Sequence, residues 1–342
     1  MPEPLFGKFL FVILSRGHGT PGCVVSCAGS SVPGKGVFGG WSLFTDRRFS
    51  VLAFVLLVLF WGSAFGAIKI SLEYAPPILF AGTRTLLCGV VMTLAALVWG
   101  GGANVRESWP VYLLLAFFNV ALFMGLQTLA ILYMPSGSAA VVIYLQPILV
   151  GFLSYLILDE SLSAAKLVGL FLGFSGVVVV SAGSLSEASL GTPLGVAFGV
   201  ASAVSWALGT VYFKRYGGRL STLWAVGGPF LLGGICLTGL GLVLEPLSEI
   251  SWTGTYVASW LYAALVGTAL AWLLWLGLVR AGEASRVSAY VFFVPLVSVL
   301  LGALFLGETL SLLLLLGATL VVSGIYLVNK QPAKNKSPKA ES

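Results

Sequence analysis

Arg84 is the strong charge that lies well inside an apolar stretch of this sequence. A guanidinium near a bilayer centre costs about 2.5–3.5 kcal/mol to insert, so such a residue faces a bundle interior or a wet cavity. There it can hold a carboxylate or another anion through paired hydrogen bonds, or lock an outer gate. A structural pair with Glu73 or Glu308 is the competing reading. Trp61, Tyr144, Trp206, Trp275 and Tyr290 are candidates for the aromatic walls of a substrate site, and Asn119 and Gln127 are its candidate polar handles. The plainer alternative is that these aromatics pack or form interfacial belts and that the amides bond between helices, at about 1 kcal/mol each. Pro147 and Pro295 interrupt apolar runs, where a missing N–H either permits bending during gating or sets a fixed kink. Glu160 and Glu308 each stand just before an expected helix. Their carboxylates are expected to cap its N-terminus, with a gating or proton-carrying role on opposite faces as the alternative.

Composition decides what kind of element can hold these side chains. Of 342 residues 58% are hydrophobic and 9% charged, against about 25% charged in a soluble domain, and the mean hydropathy is +1.02. A water-soluble fold is excluded, and the surroundings of most of the chain are a lipid bilayer. A bilayer core of about 30 Å needs about 20 apolar residues per helix. Measured that way, with proline and charge clusters marking the ends, the spans fall at 51–71, 77–98, 109–132, 136–157, 165–183, 193–213, 221–244, 256–280, 284–306 and 311–329. Pro77, Pro110, Pro135 and Pro193 lie at or beside span starts, where the first turn loses nothing to a missing N–H. The fold class is therefore an all-α integral membrane protein of ten transmembrane helices. Its connections are too short for a separate catalytic domain.

Orientation follows from lysine and arginine in the loops. With a cytoplasmic N-terminus, the inner side receives Arg47, Arg48, Arg106, Lys166, Lys214, Arg215, Arg219, Arg280, Arg286 and the lysines from 330 onward, whereas the outer side receives Lys69. One missed helix would flip every later loop, so this bias supports the count and places both termini in the cytoplasm. Topology also explains the net charge of +6, because the bases form no contiguous patch and no nucleic-acid partner is expected. His18 is the one histidine, and Cys23, Cys27, Cys88 and Cys236 lack paired metal spacing. No metal and no cofactor is expected.

Shifting the chain by 148 residues lays Pro147 on Pro295, Glu160 on Glu308, Leu162 on Leu310, Gly169 on Gly317 and Gly176 on Gly324. A shift of 145 lays Trp61 on Trp206, and Arg84 on Pro229. Two repeats of five spans, 51–183 and 193–329, follow. Five is odd, so the second copy enters the membrane inverted, and two inverted bundles can expose one midplane site to either side in turn. Trp61-Gly62, Arg84, Pro147 followed by Asp159-Glu160-Ser161-Leu162, and Pro295 followed by Gly307-Glu308-Thr309-Leu310 with Gly317 and Gly324 resemble the EamA-type drug/metabolite transporters. The resemblance covers about 50–329. It implies a carrier in the cell membrane, commonly an exporter of amino acids or other small metabolites, with a central cavity between the repeats. For a proton-coupling residue of that family this sequence offers no clear match.

The sequence thus predicts a secondary transporter, not an enzyme, with a small metabolite as its substrate and a homodimer compatible with the topology. A channel-like facilitator of small polar solutes is the alternative. An intramembrane enzyme would need a catalytic group, and no HExxH, GxSxG or paired intramembrane aspartates occur. Residues 1–50 read as a disordered leader. Its Gly29-to-Gly36 stretch lacks the hydroxyl residue of a phosphate-binding loop. Residues 330–342, rich in lysine, read as a solvated tail.

Overall fold

The computed structural model describes residues 44, 46–134, 136–182, 192–306 and 312–330; the leader before residue 44, Glu308 and the tail after Lys330 lie outside that set. Among the described residues every regular element is a helix, and 10 of them, single or compound, are long and apolar enough to cross a membrane. In chain order, spans 1 to 10 are Arg48–Ser71, Pro77–Trp99, Val105–Tyr133, Ser138–Ile157, Ala164–Ser181, Pro193–Arg219, Thr222–Leu244, Gly254–Ala281, Ala284–Leu301 and Leu312–Asn329. Their starts are chemically marked. Pro77 and Pro193 open spans 2 and 6, and the side chains of Thr192, Ser221 and Thr253 accept from Gly195, Trp224 and Tyr256 N–H groups. Span 3 departs from expectation: its helix begins at Val105 behind a left-handed Asn104, so Pro110 lies inside the helix instead of opening it. Pro110 is the sixth residue of this helix, so it forgoes the N–H that would otherwise reach the carbonyl of Arg106.

Successive spans run in opposite directions because their connections are short. One face, here the basic face, collects Arg106, Glu160, Lys214 and Arg280; the opposite face collects Glu73 and Glu245. Spans 2 and 7 pack against each other along their length, as do spans 5 and 10, each pair antiparallel. Glycine makes the approach possible. A Cβ on Gly89 would fall on the backbone of Leu231, and one on Gly234 on the backbone of Leu86. Adding 145 to 89 and 86 gives 234 and 231, so each contact is the image of the other. In the second pair Gly169 meets Gly324 and Gly176 meets Gly317, again exchanged by the shift of 148. Small residues at such positions let helix backbones touch without a side chain between them.

Three kinds of break interrupt the spans nearest the centre. Ala116–Leu122 in span 3 and Leu265–Leu270 in span 8 are π-helical, at places related by the repeat. Tyr144 and Leu145 form a turn between helices Ser136–Ile143 and Gln146–Ile157, which lets Pro147 occupy the second position of a new helix. Pro295 likewise follows a 3-10 turn over Tyr290–Phe292. Both prolines therefore restart a helix after a break instead of bending a continuous one.

Candidate functional site

The breaks in spans 3, 4 and 8 flank a cavity at mid-depth. Span 1 contributes Trp61, Ala64, Phe65 and Ile68; span 2 Arg84; span 3 Phe123, Met124 and Gln127; span 4 Ile143 and Tyr144; span 6 Trp206; span 8 Gly267, Thr268 and Trp272. Both sequence halves thus share one site. The atom-free space at the site is about 420 Å³, open solvent included, and the centre of a water molecule can occupy about 30 Å³ of it. A buried water needs about 10–15 Å³ on that measure, so this conformation admits a few waters and must widen to take a metabolite. The walls are ring edges and faces. Trp61 stands edge-on to Trp206 at 5.3 Å between centroids, and Phe123 lies 4.9 Å from Trp206 and 5.9 Å from Trp272. Offset and edge-on pairs of this kind add about 0.5–1.5 kcal/mol each beyond the area they bury.

Arg84 brings the charge. It is 2% exposed, its Nη2 lies 3.4 Å from the Met124 sulfur, its guanidinium carbon sits 5.2 Å from the Phe80 ring centre, and its Nε has no hydrogen-bond partner. Among the described residues no carboxylate reaches ion-pair distance. Of the competing reading, the pair with Glu73 is not formed, while Glu308 lies outside the described residues. A buried cation held by a thioether and a ring face, with no carboxylate at ion-pair distance, is poorly compensated.

On the basic face a polar latch joins the halves. Asp159, at φ 55, turns the chain out of span 4 and presents Glu160 to span 9. Glu160 Oε1 accepts from Ala284 N at 2.7 Å, and its Oε2 accepts from Ser285 N at 3.1 Å and Ser285 Oγ at 2.5 Å. Capping was expected of Glu160 toward the helix that follows it in the chain; the helix it caps is instead the start of span 9. The turn at Asp159 is the physical reason, since adjacency in space has replaced adjacency in sequence. Lys166 is 1% exposed, and its Nζ donates to Glu283 at 2.6 Å. Lys214 Nζ donates to the carbonyls of Val279, Arg280 and Gly282, and Arg215 donates to Ile157 O, so two helix C-termini receive cations. On the opposite face Glu245 caps span 2, accepting from Ile78 and Leu79 N–H groups at 3.0 and 2.7 Å.

The structure brings Trp61, Arg84, Gln127, Tyr144 and Trp206 together at the cavity. It places the other three candidates elsewhere. Trp275 is fully buried 5.5 Å from Trp61 and 5.6 Å from Trp206, one turn nearer the basic face than Trp272. Tyr290 stacks on Phe54 at 4.5 Å, also toward the basic face. Asn119 lies in the π-helical segment with its side chain pressed on Gly209 and its Oδ1 unpartnered. Phe123, Met124, Thr268 and Trp272 line the cavity without having been singled out. The signal that could have found Trp272 is the repeat itself, because the shift of 145 that lays Trp61 on Trp206 also lays Gln127 on Trp272. Among the described residues no cluster of His, Cys, Asp or Glu is arranged to hold a metal ion.

Comparison with known proteins gives this arrangement a context. The EamA-like transporter family matches residues 48–182 and 193–330. The uncharacterized transporter YvbV of Bacillus subtilis is 40% identical over 291 residues, covering 85% of this chain and 94% of that protein. A Salmonella typhimurium protein named "Probable amino-acid metabolite efflux pump" is 30% identical over 298 residues, covering 82% of this chain and 95% of its own length. A solved crystal structure superimposes with a TM-score of 0.70 at 22% identity, covering 83% of this chain and 97% of that one, and so shares the fold.

Proposed function

Starting from the fact that this chain belongs to the EamA-like transporter family, we propose that it exports amino acids or related small metabolites across the cell membrane by alternating access. The observation that carries this reading is the mid-depth cavity, built jointly by spans of both sequence halves. Paired glycine contacts that exchange under the repeat shift support two inverted five-helix units, 51–183 and 193–329. The basic loops support cytoplasmic termini and hence a latch on the cytoplasmic side. In this conformation the cavity lining runs along span 1 from Trp61 to Ile68, away from the latch, while Trp275 and the Phe54–Tyr290 stack lie between cavity and latch. That is a carrier closed to the cytoplasm. Efflux then requires the latch to open, the solute to enter among the indoles, and the latch to re-form behind it. The solute class draws support from the named efflux pump that 82% of this chain matches. The described lining offers no carboxylate for a proton relay, which favours exchange or uniport.

Counterflow in proteoliposomes tests the reading. Liposomes preloaded with unlabelled solute are expected to accumulate labelled solute transiently when amino acids, nucleosides and organic cations are screened. A flux that neither saturates nor responds to solute on the far side would identify a channel-like facilitator and end the carrier reading.

A further inference from the structure

We infer that the cavity selects its solute by a carboxylate anchored on Arg84, joined to a flat apolar body, and that an ammonium group on the solute is dispensable. The inference rests on the cavity being the transport site. Arg84 is buried, its Nε is unpartnered, its Nη2 donates to the Met124 thioether and its guanidinium carbon faces the Phe80 ring. A planar guanidinium in that state presents a two-pronged donor matched to a carboxylate. For an ammonium the lining offers neutral groups alone, the Gln127 and Tyr144 oxygens and the ring faces. The described lining holds no acid, and the Thr268 hydroxyl already donates to Ala263 O at 2.7 Å. The body of the solute meets Trp61, Trp206 and Trp272, whose ring centroids lie 5.3 to 6.5 Å apart. The repeat partner of Arg84 is Pro229, so the charge belongs to one half and is no requirement of the duplicated scaffold.

The test uses the full-length protein purified in detergent, with its own tryptophan emission as the reporter and four phenyl probes of one size. These are 3-phenylpropionate, 3-phenylpropanamide, 3-phenylpropylammonium and phenylalanine. The propionate is expected to bind at least about tenfold more tightly than the amide or the ammonium, the difference one charge-assisted contact makes. Phenylalanine is expected to bind no more than a few-fold more tightly than the propionate. Arg84→Gln should bring propionate and amide within about twofold of each other, and Arg84→Lys should restore part of the gap. An amide as tight as the propionate, a propionate that fails to bind, or a preference that survives in Arg84→Gln overturns the inference. Phenylalanine counterflow in proteoliposomes separates the two readings. Exchange without a carboxylate preference removes the inference and leaves the carrier, whereas a carboxylate preference without exchange leaves the site and removes the carrier.

Discussion

Replacing Arg84 by methionine should make the protein more stable while abolishing transport. An arginine near the bilayer centre costs about 2.5–3.5 kcal/mol on insertion scales. The compensation visible around Arg84 is the Phe80 ring, 5.2 Å away, and the Met124 sulfur, 3.4 Å away. A desolvated cation–π contact returns about 1–2 kcal/mol, and a thioether is a weak acceptor that adds little. The balance leaves about 1–2 kcal/mol of net cost in the resting protein. Methionine keeps an unbranched apolar stem and packs well against irregular walls, so little is lost on that side. At about 2–4 °C per kcal/mol, Arg84→Met should raise the midpoint of thermal unfolding by about 2–8 °C. Arg84→Lys keeps the charge and should give no rise. The midpoints are read from loss of monodisperse protein in detergent on heating, with counterflow measured on the same preparations. A fall in the midpoint for Arg84→Met would mean that the guanidinium already has a strong partner, and the case for a functional cation would collapse. Stability gained as activity is lost is the usual mark of a residue kept for function.

Three further outcomes follow from the same geometry. Glu160→Ala leaves the Ala284 and Ser285 N–H groups uncapped, a loss of about 1–2 kcal/mol. The buried Ser288, replaced by cysteine, should then react at least about fivefold faster with an impermeant maleimide; unchanged labelling would remove the latch as a gate. Gly89→Val and Gly234→Val should each cost at least about 2 kcal/mol, and by similar amounts, because both set a side chain against backbone. Gly239→Ala, which meets open space, should be near neutral, and a wild-type midpoint for either valine variant would refute the close approach. Trp206→Ala opens the aromatic wall and should weaken 3-phenylpropionate at least about tenfold, read by titration of the remaining tryptophans, with the protein still monodisperse.

The ten spans were legible because lipid imposes one rule on every residue it touches, and length with apolarity satisfies that rule locally. Arg84, Trp61, Trp206, Gln127 and Tyr144 were legible at the cavity for a related reason: a charge or a ring in mid-span needs somewhere to go. What the sequence hid was decided across space. Glu160 caps the helix that starts at Ala284, a partner more than a hundred residues away, and Lys166 is buried against Glu283 although it read as a loop charge. Glu245 read as an outer-face charge, yet it caps span 2. The π-helical turns at Ala116–Leu122 and Leu265–Leu270 contain no proline and so carry no local marker, yet they help orient Phe123, Thr268 and Trp272 toward the cavity. Trp275 and Tyr290 share the residue types of the wall, and only their depth along the helix sets them on the basic side of the cavity.

The placement of glycine bears on how such a carrier can move. Both glycine seams, span 2 on span 7 and span 5 on span 10, join one sequence half to the other. Where backbone meets backbone, sliding by a residue drives Cβ atoms of the neighbouring positions into contact, so each seam has one favourable register. Two such seams tie the halves together, and rocking one half rigidly against the other would have to break both. The breaks, by contrast, lie in spans 3, 4, 8 and 9, at the π-helical segments, at Tyr144–Leu145 and at Tyr290–Phe292, where bending costs fewer backbone hydrogen bonds. These same spans supply much of the cavity lining and, on the basic face, Glu160 and the N–H groups it caps. Bending is therefore easiest in those helices, around the two seams, and a solute held between Arg84 on a seam helix and Tyr144 and Trp272 on interrupted ones would act across that boundary. On this view the duplicated positions supply the frame, and the unduplicated Arg84 supplies the chemical preference.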